Sequence, residues 1–91
     1  MKPRRTVLAA GLERWQDGAA DDERRTVVVR LSPSADPHQV AARLREASAS
    51  VQTIGRASVV CVVTPATLRD IAGEPWVTAI EEPRRLFPRT G

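Results

Sequence analysis

The chain has 91 residues, enough for one small domain whose core is near the lower limit for independent stability. Apolar residues make up 42% and charged residues 27%, and no stretch approaches the roughly eighteen apolar residues of a membrane helix, so no membrane span is expected. The net charge of +3 comes mostly from arginine, but acids are interspersed and the dense basic groups are short; with only Trp15, Trp76 and Phe87 as aromatics, the basic stripe and stacking rings of a nucleic-acid binder are missing.

Leu8, Leu12 and Trp15 recur at i, i+4 and i+7, a spacing that predicts an amphipathic helix of about three turns. Gly11 weakens it and Gly18 suits its end. Residues 17–23 are polar and acidic and read as a linker. Residues 25–31 are Val-rich and predict a strand. Asp36 suits the cap of the next helix and Pro37 its first position. That helix runs to about Ser48, with Val40, Ala41, Leu44 and Ala47 in one stripe. Residues 51–54 predict a short second strand, and Gly55 punctuates the connection to a third at 57–64. Thr64-Pro65 repeats the cap-plus-proline start, and Leu68, Ile71 and Ala72 mark the buried side of a short helix ended by Gly73. Glu74-Pro75 is a turn, and residues 76–81 form the last strand. Nothing regular is expected after Pro83.

The order is a helix followed by β-α-β-β-α-β. Two split β-α-β units predict an α+β, ferredoxin-like fold: a four-stranded antiparallel sheet with both later helices on one face. By position the strands should lie 4-1-3-2. Val40, Leu44, Leu68 and Ile71 should pack on Val27, Val29, Val59 and Cys61. The chain divides into an N-terminal helix and linker (1–22), the sheet domain (23–83) and an extended tail (84–91).

The run from Val59 to Val63 is apolar throughout. A strand alternates its side chains, so Val59, Cys61 and Val63 face one way and Val60 and Val62 the other. The helices cover the first set. The second set, with Val28, has two available covers: the N-terminal helix or a partner.

Chemistry is sparse. One Cys excludes an intrachain disulfide, and its apolar strand points to a buried, inert thiol. His38 is the sole imidazole and reads as a solvated residue in the first turn of a helix. One Cys and one His are too few for a zinc centre, and no glycines stand in phosphate-loop spacing. Glu81 and Glu82 are adjacent, so on a strand they point apart and make a poor acid/base dyad. The loop after the first strand, Ser32-Pro-Ser-Ala-Asp-Pro, lacks the arginine and glycines that an acylphosphatase needs. The central strands lack the aromatics of an RNA-recognition module. A non-enzyme with no cofactor or metal is expected. The weak apolar segment near the N-terminus is a poor signal peptide, which points to the cytoplasm unless the chain is cut from a longer precursor.

The ordered pattern Thr26-Val-Val-Val-Arg-Leu, Val59-Val-Cys-Val-Val and Glu74-Pro-Trp-Val-Thr-Ala-Ile-Glu-Glu resembles the subtilisin propeptide-like inhibitor family. The closing piece, Pro75, Val77 and Ile80 followed by Glu81-Glu82, carries most of the likeness. The resemblance implies a domain that docks its open sheet face on two surface helices of a subtilisin-like serine protease, in cis or in trans, as inhibitor and folding chaperone. It implies that Val28, Val60 and Val62 form that face. Glu81 and Glu82 would then cap protease helices, where a carboxylate meets unpaired N–H groups and the positive dipole end. It also implies that Leu86, Phe87, Pro88 and Arg89 enter the active-site cleft. Pro83 departs from the family pattern, which favours an acid there, and neither a secretion signal nor a protease domain is expected from the chain. The alternative is a non-catalytic regulatory or assembly module that forms a homodimer through the same sheet face.

Overall fold

A computed structural model describes residues 7–83. Four strands, β2 (Arg25–Leu31), β3 (Ser50–Ile54), β4 (Ser58–Val63) and β5 (Val77–Glu81), form an antiparallel sheet ordered β5-β2-β4-β3. This is the expected 4-1-3-2 order, and the fold is α+β and ferredoxin-like. Helices α2 (Pro37–Glu46) and α3 (Pro65–Ala72) supply the crossovers. Each starts as its sequence dictates. The Asp36 carboxylate accepts from the His38 backbone N–H at 3.0 Å, the Thr64 hydroxyl accepts from that of Thr67 at 3.3 Å, and each helix has proline in its first turn.

The core lies between the sheet and the helices. Val27, Val29, Val59, Cys61 and Val63 face Val40, Leu44, Leu68 and Ile71, and all nine are buried as the alternation requires. Thr67 is the one buried polar side chain in that layer among the described residues, and it is satisfied: its hydroxyl donates to the Ala47 carbonyl at 2.9 Å.

The N-terminal segment differs from expectation. Leu8 is not helical. It pairs with Ile80 in a two-residue strand, β1 (Val7–Leu8), which runs parallel to β5 and adds a fifth, edge strand. Helix α1 (Ala10–Gly18) begins only after it. Leu8 and Leu12 still reach the same core because Leu8 shares the side of the sheet occupied by Ile80. The four-residue spacing is coincidental, since a strand and a helix deliver the two leucines separately. Helix α1 packs beside α3, with the Arg69 guanidinium donating to the Gln16 carbonyl at 3.0 Å and Leu12 fully buried. It therefore joins the helical face and leaves the other face of the sheet open.

Helix α2 stops two residues short of the expected end. The Ala49 N–H returns to the Leu44 carbonyl at 2.9 Å and the Ser48 N–H to that of Arg45 at 3.0 Å, with Ser48 at φ 74°. This is a Schellman ending with serine in the left-handed position where glycine is usual.

Candidate docking face and acidic exit

The open face is built by strand register. Val28 sits opposite Val60 on one side and Glu81 on the other; Thr26 sits opposite Val62; Thr53 and Ser50 flank Val60 and Val62 from β3. Val28, Val60 and Val62 are half-buried by these neighbours, and none belongs to the packed core. They form a short apolar strip across the two central strands, framed by Thr26, Thr53 and Ser50.

The strip has a charged end. Arg30 lies two residues beyond Val28 on the same face, and its Nε donates to the Glu81 carboxylate at 3.2 Å. Beside this pair is a shallow depression of about 690 Å³ lined by Ala9, Val28, Arg30 and Glu81 and closed by Glu82 and Pro83. The structure thus brings Val28, Val60, Val62 and Glu81 onto one surface.

Glu82 is the first residue past β5, and its carboxylate accepts from the Arg25 guanidinium at 2.6 Å. Arg25 shares its strand parity with Val27 and Val29. The two adjacent acids therefore pair with different arginines. Leu86, Phe87, Pro88 and Arg89 lie outside the described residues.

Arg25 and Arg30 are partners of the two acids that sequence patterning did not single out. Arg30 was accessible to it, because the same alternation that selects Val28 selects Arg30. Arg25 was not, since its meeting with Glu82 depends on how β2 and β5 pair.

Other chemical groups are accounted for locally. Cys61 is fully buried, and desolvation pushes its thiol up to about 11. His38 is exposed, with its backbone N–H engaged in the α2 cap. Among the described residues no group of three or more His, Cys, Asp or Glu is placed to hold a metal ion, and no helix is long and apolar enough to cross a membrane. Comparison with protein-family models, with curated proteins and with solved structures gives no match.

Proposed function

We propose that the chain is a prodomain-like inhibitor, and folding chaperone, of a subtilisin-like serine protease. The observation that carries this reading is the uncovered apolar strip Val28, Val60 and Val62, with Glu81 at its edge, on a sheet whose other face is already packed by three helices. A small domain gains nothing for its own stability by leaving three central valines facing water. Completing the burial of each on a partner contributes about 1 kcal/mol. Glu81 adds a directional contact, because a partly exposed carboxylate suits the unpaired N–H groups at the start of a partner helix. Arg30 holds that carboxylate in place before docking. Leu86, Phe87, Pro88 and Arg89 begin five residues after Glu81 and are the segment that the resemblance assigns to the cleft.

The test is inhibition. A panel of purified subtilisin-like proteases is titrated with the chain while hydrolysis of a chromogenic peptide is followed. Stoichiometric, saturable inhibition of at least one member is expected, and a chain ending at Pro83 should inhibit far less while melting at the same temperature. Equal inhibition by the shortened chain removes the cleft role. A chain that inhibits no panel member and sediments as a homodimer belongs to the assembly-module class instead.

A further inference from the structure

We propose that Glu82 works inside the molecule, as a clasp that holds helix α1 against the end of the sheet, and that Glu81 is the acid that carries the docking contact, although both line the depression beside the strip. The division of labour rests on the docking reading above; the clasp does not.

Three observations converge on Glu82. Its carboxylate meets the Arg25 guanidinium at 2.6 Å, with both side chains 40% exposed. It also lies against the first turn of α1: a Cβ placed on Gly11 would stand 2.9 Å from Oε2 and 3.2 Å from both Cδ and Oε1. An alanine at residue 11 therefore requires the tip of the Glu82 side chain to move. Finally, α1 starts without a side-chain cap, since its N-cap is Ala9. The first turn carries one acid of its own, Glu13, and the Glu82 carboxylate places a second negative charge beside the same positive end. The backbone holds the same junction from the other side, where the Ala9 N–H donates to the Ile80 carbonyl at 3.1 Å.

This explains a glycine that the helix would otherwise be better without. Glycine is among the least favourable residues inside a helix, and Gly11 is in the second helical position. Its missing side chain makes room for Glu82.

The test is a thermal double-mutant cycle on the full chain: native, Gly11→Ala, Glu82→Ala and the double variant. With Glu82 removed, Gly11→Ala should behave as an ordinary helix improvement and raise Tm by roughly 4 °C. With Glu82 present the same change displaces the carboxylate from Arg25, and Tm should stay level or fall. A Gly11→Ala chain that fails to fold while the double variant folds is the same coupling in stronger form. Equal rises in both backgrounds overturn the clasp. For the division of labour, Glu81→Lys should raise the inhibition constant at least tenfold more than Glu82→Lys, at a temperature where both are folded; equal losses overturn it. Coupling in the cycle without inhibition by the native chain keeps the clasp and removes the docking reading.

Discussion

Leu12→Ala measures whether the N-terminal helix is part of the domain. Leu12 is fully buried in the same cluster as Leu68, Ile71 and Ile80, although it comes from outside the β-α-β-β-α-β unit. The substitution removes the three terminal carbons of the side chain. Transfer alone costs about 2.4 kcal/mol at ~0.8 kcal/mol per carbon, and incomplete collapse of the space adds to it. A loss of about 3 kcal/mol is therefore expected. A domain of this size has roughly 5–10 kcal/mol in all, so Tm should fall by more than about 10 °C. Urea melts followed by circular dichroism would read the loss, with Arg14→Ala as the control because Arg14 is exposed on the same helix. The control should shift stability by less than about 0.5 kcal/mol. A Leu12→Ala loss below about 1 kcal/mol would refute the packing described, because a fully buried leucine cannot be removed so cheaply unless α1 is undocked.

Other outcomes follow from local geometry. Ser48→Gly should raise stability by about 0.5–1 kcal/mol in thermal melts, since Ser48 has φ 74° and glycine adopts that conformation without steric cost. Stability should also fall at high pH through Cys61. Its thiol is raised from 9.0 to about 11, so the unfolded chain loses the proton first. The contribution is complete below about pH 9 and is lost as pH rises through 11, a difference on the order of 2 kcal/mol. The chain has no Tyr and one Lys, so few other groups titrate there, and the native slope between pH 9 and 11 should disappear in Cys61→Ala. A slope that survives the substitution assigns it elsewhere.

The central architecture is legible in the sequence because its signals are periodic or positional. Alternation along Val27–Val28–Val29 and Val59–Val60–Cys61–Val62–Val63 separates core from open face without any coordinates. Asp36-Pro37 and Thr64-Pro65 mark helix starts because capping and the fixed proline φ are local effects. The misses are non-local or too short to carry a period. A two-residue strand has no alternation to detect, so Leu8 was absorbed into the helical spacing of Leu12 and Trp15. The early end of α2 depends on Ser48 taking a conformation that serine rarely adopts. The partners of Glu81 and Glu82 depend on the β2–β5 register, which shifts between Arg30 and Leu31 and cannot be read from either strand alone. The open valines were visible from the sequence, but which face α1 covers was decided by packing against α3.

The most direct measurement compares inhibition of a susceptible subtilisin-like protease by the native chain and by Val60→Lys. Val60 lies at the middle of the strip, between Val28 and Thr53, and outside the packed core. Lysine there should leave the fold intact by circular dichroism while forcing a charge into the docked surface. The expected cost is on the order of 2 kcal/mol, about a 30-fold rise in the inhibition constant. Unchanged inhibition by a folded Val60→Lys chain would contradict docking through the open sheet face.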